Sequence, residues 1–167
     1  EIRDFIYIND DALPEKTCNG IVDFVITNKE IFERIITTEL SDESGARWDH
    51  ESKAPWDQDD SWFYVDSRSE FPRDYWMLLR SVISNGFKEY FRGYPTMPRG
   101  LNNPYIKYHI VHTGGGYHKW HAEWNPAANF TAVLAWHLSL TSHENEGELE
   151  FLHYGRRIDP KAGRLII

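Results

Sequence analysis

Histidines are concentrated in the last part of the sequence, where they could bind a metal or act as general bases. The chain has eight histidines in 167 residues, and all except His50 lie between His109 and His153. Even spreading would leave about three of the eight in the final 59 residues, which contain this part of the chain. Histidine is the commonest metal ligand and a general base near neutral pH. The clustering therefore indicates a metal or acid–base site, with ordinary sheet-surface positions as the alternative.

The sharpest candidate within this region is the pair His121 and Glu123, in the run Gly-Gly-Gly-Tyr-His-Lys-Trp-His-Ala-Glu. On a β-strand, residues two apart project from the same face about 6.5–7 Å apart, so one metal could contact both. About one such His-x-acid pair is expected by chance, so the spacing alone is not specific. The triple glycine before the pair and Asn125-Pro126 after it predict a strand end, where sites are often built. One histidine and one carboxylate form two-thirds of the set that holds non-haem Fe(II).

Composition restricts the class of protein that could carry this pair. The net charge of −8 and the pI near 5.4 leave no general basic surface for nucleic acid. The single cysteine, Cys18, excludes a disulfide within the chain and a cysteine-based zinc site, which favours a reducing, cytoplasmic location. The sequence has no apolar run of membrane-spanning length, so no membrane partner is expected. The length predicts a single domain over residues 1–167.

Helices are predicted in the first part of the chain. One begins at Leu13-Pro14-Glu15-Lys16, because proline and an acidic residue both suit a first helical turn. A second has Ser69 as its cap and Pro72 in its first turn, and Gly93 and Pro95 end it. Residues 41–60 lack a sustained period and predict a long irregular loop. Its tryptophans, together with Trp62, are candidates for substrate contact.

Short strands are predicted in the second part of the chain. Alternating and β-branched runs indicate strands at residues 105–112, 117–124, 130–140, 148–152 and 164–167. Glycine, asparagine and proline separate these runs, as in antiparallel sheets. Strand alternation predicts that Trp120 and Trp124 belong to the core, on the face opposite His121. The predicted fold is α+β: a double-stranded β-helix, or distorted jelly roll, with N-terminal helices buttressing one sheet.

Three of these segments resemble the Fe(II)- and 2-oxoglutarate-dependent oxygenases, and within them the prolyl 4-hydroxylase-like group. Residues 112–123 are similar to the pattern Tyr-x-x-Gly-x-x-Tyr-x-x-His-x-Asp of that group. Residues 146–151 are similar to Gly-Gly-Glu-Thr-x-Phe, and residues 158–167 to Pro-x-x-Gly-x-x-x-x-Phe. Leu13-Pro14 with Cys18 looks like the opening helix of the family. Together with the opening helix, the three segments occur in the family's order and span most of the chain.

The resemblance implies the roles of five residues. His121 and Glu123 are the expected iron ligands, with Glu123 standing where the group usually has aspartate. His112, which replaces a tyrosine, is expected either to contact the 2-oxoglutarate or to stack within the strand. His137 and Arg164 are the other residues expected to contact the 2-oxoglutarate. The family's second histidine, and the lysine or arginine that pairs with the co-substrate, lie after the 164–167 strand. We therefore expect the sequence to be trimmed at its C-terminal end.

Other histidines and cations in the region have weaker expectations. His143, in a polar loop, and His153, after a strand, are alternatives for the third iron ligand. Strand alternation would put His137 on one face with Ser139, where it could reach a cavity. A surface position is the default for the cations of residues 156–164, Arg164 included.

The function implied by the resemblance is hydroxylation with Fe(II), 2-oxoglutarate and O2, releasing succinate and CO2. The substrate would be a peptide, with a prolyl residue favoured, or a small molecule such as an amino acid. Two other functions stay open: a cupin-type metalloenzyme that does not use 2-oxoglutarate, and a non-catalytic jelly-roll module that binds peptide or sugar. The sequence gives no indication of the oligomeric state.

Overall fold

The computed structural model describes residues 1–28, 58–59, 61–65, 71–97, 106–111, 113–117, 120–121 and 134–167, with the backbone alone for 58–59, 61–65 and 117. The chain divides into two compact units. The larger unit contains Glu1–Val22, Pro72–Asn102 and His121–Ile167, and the smaller unit contains Asp23–Phe71 and Asn103–Trp120. Helices and antiparallel strand pairs make up the described chain.

The described residues form two long helices and ten short strands. The helices are α1 (Glu15–Thr27) and α2 (Arg73–Gly93). The strands are β1 (Ile2–Arg3), β2 (Ile6–Asn9), β3 (Gln58–Asp59), β4 (Ser61–Val65), β5 (Ile106–Ile110), β6 (Gly116–Tyr117), β7 (His137–Leu138), β8 (Leu149–Phe151), β9 (Arg156–Ile158) and β10 (Leu165–Ile166). Neither helix has both the length and the apolar character needed to cross a bilayer in the part of the chain that is described.

Both predicted helices are confirmed. α1 begins directly after Pro14 and buries Cys18, Ile21 and Val25 on one face, because apolar residues spaced by three or four fall on the same side of a helix. α2 ends at Gly93, as predicted.

The predicted cap of α2 is wrong. The residue that precedes the first helical turn is Pro72, whose φ of −53° and ψ of 121° are extended, and no side chain caps the helix. Ser69 lies three residues further from the helix and outside the described residues. Proline suits this position because its fixed φ is compatible with helix entry and it has no N–H to leave unsatisfied.

The larger unit is built on a four-stranded antiparallel sheet in the order β1-β2-β10-β7. β10 is an inner strand: Ile166 lies opposite Ile8 of β2 on one side and opposite His137 of β7 on the other. Backbone hydrogen bonds between Tyr7 and Ile167, at 2.8 and 3.0 Å, extend the pairing of β2 with β10. The predicted strand at residues 164–167 is therefore confirmed, and it is central to the sheet.

Side-chain alternation gives this sheet two different faces. Leu165 and Ile167 pack with Tyr7 and Tyr90 in a buried cluster, so this face lies against α2. Ile166 points the other way and packs with Ile6 and Ile158, so the opposite face lies against the β8–β9 hairpin. Helix α2 and the β8–β9 hairpin thus cover the two faces of the sheet. Whether the complete chain forms a double-stranded β-helix stays a prediction.

A glycine bulge fixes the start of β10. The N–H of Gly163 donates to the carbonyl of Ser139 at 2.8 Å, and the Ser139 N–H donates to the carbonyl of Arg164 at 3.0 Å. Gly163 and Arg164 therefore both lie opposite Ser139, which makes this a β-bulge. The first position of such a bulge requires a positive φ, and Gly163 has φ 86°. Its carbonyl accepts the N–H groups of Ala12 at 3.0 Å and Leu13 at 3.3 Å. The bulge thus ties β10 to the segment that leads into α1.

The turn between β1 and β2 was not predicted, because it lacks the usual glycine or asparagine. Asp4 and Phe5 both have left-handed backbones, with φ 54° and 62°, which is costly for a bulky residue. Two tyrosines at the end of α2 hold the turn: the N–H of Phe5 donates to the Tyr94 hydroxyl at 3.0 Å, and the Tyr90 hydroxyl donates to the Phe5 carbonyl at 3.2 Å. The Phe5 and Tyr94 rings also stack, with centroids 5.2 Å apart.

The smaller unit contains two antiparallel pairs, β4 with β5 and β3 with β6. Ile106 and Tyr108 of β5 are buried, and Tyr108 contacts the ring of Phe71 at 5.4 Å between centroids. Phe71 in turn meets Phe24 edge to face at 5.6 Å. Aromatic residues therefore provide much of the described core of this unit.

The strand predictions have a mixed outcome. Strands are confirmed within residues 105–112 and 148–152, as β5 and β8. The predicted loop at 41–60 is wrong at its end, where β3 forms and pairs with β6; the rest of that segment lies outside the described residues. The strand predicted for 117–124 is also wrong in part: Tyr117 belongs to β6, but Trp120 and His121 belong to no strand. Among the described residues, β6 pairs with β3 through two residues, Gly116 and Tyr117.

Candidate functional site

Two of the predicted site residues, His137 and Arg164, lie on neighbouring strands of the central sheet. His137 is opposite Ile166 in β7 and β10, so both side chains belong to the face that lies away from α2. Arg164 precedes Leu165 and is two residues before Ile166, so it belongs to the same face. The fold therefore brings these two residues to one surface, as expected from their predicted shared role.

The Arg164 guanidinium is the best-defined polar group on this face. Its Nε donates to Asp10 Oδ1 at 2.6 Å, and its Nη1 donates to the carbonyl of Asp159 at 2.7 Å. Its side chain is 18% exposed, so these partners compensate a cation that is largely removed from water. The two bonds engage two of the five guanidinium N–H groups. Arg164 is therefore a structural tie between β10 and the β2 end, and its role toward a co-substrate stays a prediction.

Asp10 is held ionised by this contact. The hydrogen bond from Arg164 is the largest influence, and it lowers the pKa of Asp10 below its usual value. Lys161 adds a second cation nearby, through a 3.6 Å ion pair with Asp11. Acidic and basic side chains thus alternate at this edge of the sheet. The contact with Asp10 fixes the orientation of the Arg164 guanidinium.

Ser139 is the unexpected member of the face. Its side chain is 5% exposed, and its Oγ is buried without a hydrogen-bond partner among the described residues. An unpaired buried hydroxyl costs free energy, so such a group needs an explanation. Its own backbone contacts the Gly163–Arg164 bulge, which brings the hydroxyl next to the Arg164 strand. Guanidinium, hydroxyl and imidazole groups can all donate hydrogen bonds to a carboxylate, and whether this face binds 2-oxoglutarate stays a prediction.

His121 lies outside the sheet, in an irregular segment, and its side chain is exposed. Trp120, just before it, is 55% exposed, so the prediction that Trp120 belongs to the core is wrong. That prediction assumed strand alternation, which does not apply where the backbone is not a strand. An accessible imidazole suits a metal ligand, and the role of His121 as an iron ligand stays a prediction.

Two predicted site residues, Glu123 and His112, lie outside the described residues. In the part of the chain that the structure describes, no three His, Cys, Asp or Glu side chains come together as a metal group. That part does not include Glu123, the partner expected for His121. The spacing of the His121–Glu123 pair thus stays a prediction from the sequence.

His143 and His153, the alternatives for the third iron ligand, both lie in the larger unit. His143 is exposed and forms an ion-pair contact of 3.3 Å with Glu146. His153 lies in a short 3-10 turn, residues Leu152–Tyr154, at the tip of the β8–β9 hairpin. Both positions are exposed, in agreement with the surface roles that are the simpler expectation.

Sequence reasoning missed Asp10 and did not single out Ser139 as a site residue. Asp10 is 154 positions from Arg164 along the chain, and only the register of β2 with β10 brings them together. Ser139 shares a predicted face with His137, which was the one available signal. No protein-family model, curated protein or solved structure matches this chain. The candidate site therefore depends on its own chemistry and on the sequence patterns.

Proposed function

We propose that this protein is an Fe(II)- and 2-oxoglutarate-dependent dioxygenase that hydroxylates a peptidyl or amino-acid substrate. The observation that carries the proposal is the polar face of the central sheet: His137, Ser139 and Arg164 lie on the side away from α2. This is the side on which a jelly roll with helices on one sheet would bind its ligands. The sequence patterns around His121, residues 146–151 and residues 158–167 give the same assignment independently.

Under this proposal, His121 and Glu123 hold the iron. Bound iron and 2-oxoglutarate would supply the oxidising chemistry that converts a substrate C–H bond and O2 into an alcohol, with succinate and CO2 as co-products. The chain's own contribution is binding and orientation. Ser139 is suited to donate its buried hydroxyl to a carboxylate, since it has no other partner among the described residues. The apolar layer of Ile6, Ile158 and Ile166 next to it excludes water.

Arg164 has two possible contributions within the proposed site. It can donate one of its remaining N–H groups to the co-substrate, or it can hold the strand that carries the neighbouring donors. The Asp10 contact favours the second contribution, because it already neutralises the guanidinium charge. The proposal therefore needs a further cation for the distal carboxylate.

The experiment is a His121→Ala substitution in the full-length protein. Wild-type protein supplied with Fe(II), O2 and ascorbate should convert 2-oxoglutarate to succinate, measured by NMR. His121→Ala should reduce that conversion at least about 100-fold, since metal ligands are not replaceable by water at comparable affinity.

The matched control is His109→Ala. His109 is an exposed histidine of β5, with no proposed role, so this variant should retain wild-type conversion. Retained conversion in His121→Ala would remove His121 from the site. A wild-type protein that binds iron but leaves 2-oxoglutarate unchanged would favour the cupin-type alternative.

A further inference from the structure

Phe5 is an exposed aromatic residue at the strained turn between β1 and β2. It is 63% exposed, although its backbone has a left-handed φ of 62°. Such a φ favours glycine or asparagine and is an outlier for a bulky residue. One face of the Phe5 ring stacks on Tyr94, but the exposed remainder gains nothing from packing. A phenylalanine at this position therefore indicates a use other than stability, since backbone strain is concentrated at functional sites.

The turn presents Phe5 in a fixed orientation. Tyr90 and Tyr94 each form a hydrogen bond with the Phe5 backbone, and Tyr90 is itself buried. α2 also approaches the strand before the turn, because a Cβ added at Gly93 would lie 2.6 Å from Cδ1 of Ile2. An aromatic residue that is already held in place loses little conformational freedom when it binds a partner.

Two further exposed apolar residues, Ile2 and Tyr154, lie beside this turn. Tyr154 is near Tyr90, because the pKa of Tyr90 is raised by burial and, to a smaller extent, by Tyr94 and Tyr154. We call Ile2, Phe5 and Tyr154 the Phe5 surface. All three residues belong to the larger unit. Exposed apolar side chains that are grouped on a surface are typical of interaction sites, whereas scattered ones are not.

Arg156 provides a positive charge next to the Phe5 surface. Its Nη1 donates to the carbonyl of Arg3 at 3.3 Å, which holds the guanidinium beside the turn. Arg3 has an ion pair of its own, with Asp4 at 3.2 Å. Arg156, in contrast, has no carboxylate within ion-pair distance among the residues whose structure is described. Its bond to Arg3 uses one of five guanidinium N–H groups, so a carboxylate from outside can still bind it.

We propose that the Phe5 surface and Arg156 dock an acidic, apolar segment of another protein chain. An apolar side chain of that segment packs on Phe5, and a neighbouring carboxylate accepts hydrogen bonds from Arg156. An anionic membrane fits less well, because a bilayer would repel a protein with a net charge of −8, whereas a peptide segment meets only the local positive charge. Neither Phe5 nor Arg156 belongs to the proposed oxygenase site, so this inference goes beyond the proposed function.

The experiment compares two fluorescein-labelled dodecapeptides with a central Leu-Phe pair, flanked by aspartate and glutamate in one and by lysine in the other. In fluorescence anisotropy, wild-type protein should bind the acidic peptide at least about tenfold more tightly than the basic one. Phe5→Gly removes the ring and relieves the left-handed backbone. It should weaken binding of the acidic peptide at least about tenfold, as for an aromatic anchor. Arg156→Gln should weaken the same binding about fivefold, as for a surface ion pair.

Two matched variants should bind the acidic peptide as wild type does. Met77→Ala removes an apolar side chain of similar exposure, 57%, from the opposite end of α2. Arg157→Gln removes the neighbouring guanidinium, which already pairs with Glu148 at 3.3 Å and Glu150 at 2.8 Å. Thermal unfolding of each variant verifies that the fold persists.

Three results would overturn the inference. The first is a wild type that does not distinguish the two peptides. The second is unchanged binding of the acidic peptide in folded Phe5→Gly or, if that variant does not fold, in Arg156→Gln. The third is a wild type that sediments with vesicles of phosphatidylcholine and phosphatidylserine but binds neither peptide, which would make this a membrane-binding surface.

Discussion

Replacing Gly163 by alanine should destabilise the protein far more than the same change at another left-handed glycine. Gly163 has φ 86°, and an added Cβ would overlap the carbonyl oxygen of Leu13 and lie 3.1 Å from its carbonyl carbon. The left-handed backbone costs an alanine about 1–2 kcal/mol. Leu13 is buried, at 2% exposure, and cannot move aside without losing its hydrogen bond and that of Ala12 to the Gly163 carbonyl.

Each of those two hydrogen bonds contributes about 1 kcal/mol. We therefore expect Gly163→Ala to lower the free energy of unfolding by about 3–4 kcal/mol. Gly155 is the matched control: its φ is 56°, and among the described residues nothing lies within 4 Å of an added Cβ. Gly155→Ala should therefore lower the free energy of unfolding only by the cost of the left-handed backbone, about 1–2 kcal/mol.

The assay is urea unfolding of wild type and both variants, monitored by far-ultraviolet circular dichroism. A difference of about 2 kcal/mol between the variants corresponds to about 4–8 °C in the thermal midpoint for a protein of this size. Equal losses in the two variants would refute the reasoning, because the close approach of Gly163 to Leu13 would then contribute nothing. A gain of stability in either variant would contradict the left-handed backbone at that position.

Two further substitutions test the polar face of the sheet. Ser139→Ala should raise the free energy of unfolding by up to about 1 kcal/mol, because it removes a buried hydroxyl without a described partner. The same variant should weaken 2-oxoglutarate binding, measured by calorimetry. The control Ser142→Ala loses the 2.8 Å hydrogen bond from the Ala162 N–H and should instead lower the free energy of unfolding. Asp10→Asn should remove part of the acid sensitivity measured by urea unfolding between pH 7 and pH 3. The folded pKa of Asp10 lies below its usual 3.8, so its stabilisation is complete above that value and is lost as pH falls through the folded pKa. We expect the Asp10–Arg164 ion pair to contribute about 0.5–1 kcal/mol to the free energy of unfolding. If stability depends on pH in the same way in Asp10→Asn as in wild type, the ion pair does not have this effect.

The elements that could be predicted are those whose signals are local. α1 and α2 follow from apolar residues at helical spacing after a proline, and α2 also from the glycine that ends it. β8 and β10 follow from short apolar runs between turn formers. The turn at Asp4 and Phe5 could not be predicted, because its stability comes from hydroxyl groups of Tyr90 and Tyr94 far along the chain. The sequence around Asp4 and Phe5 does not indicate such contacts.

In the candidate site, too, some contacts follow from local patterns and others depend on residues that are distant in the sequence. His137 and Ser139 were expected on one face by alternation, and the register of β7 with β10 gives them Arg164 as a neighbour. The Arg164–Asp10 contact depends on the pairing of β2 with β10, which no local pattern specifies. Trp120 was misassigned because a run of aromatic residues was interpreted as continuous strand, whereas Trp120 and His121 lie in an irregular segment.

The position of β10 between β2 and β7 has a consequence for how the protein is made. Residues 6–9 emerge from the ribosome long before their partner strand, since Asp10 and Arg164 are 154 positions apart. β2 must therefore wait for β10 until almost the entire described chain has been synthesised, whereas α2, which contacts the first hairpin through Tyr90 and Tyr94, is synthesised earlier. Pairings of such high sequence separation fold slowly and leave nascent chains exposed to aggregation. The edge of β2 that pairs with β10 is accordingly a segment that a chaperone would protect during translation.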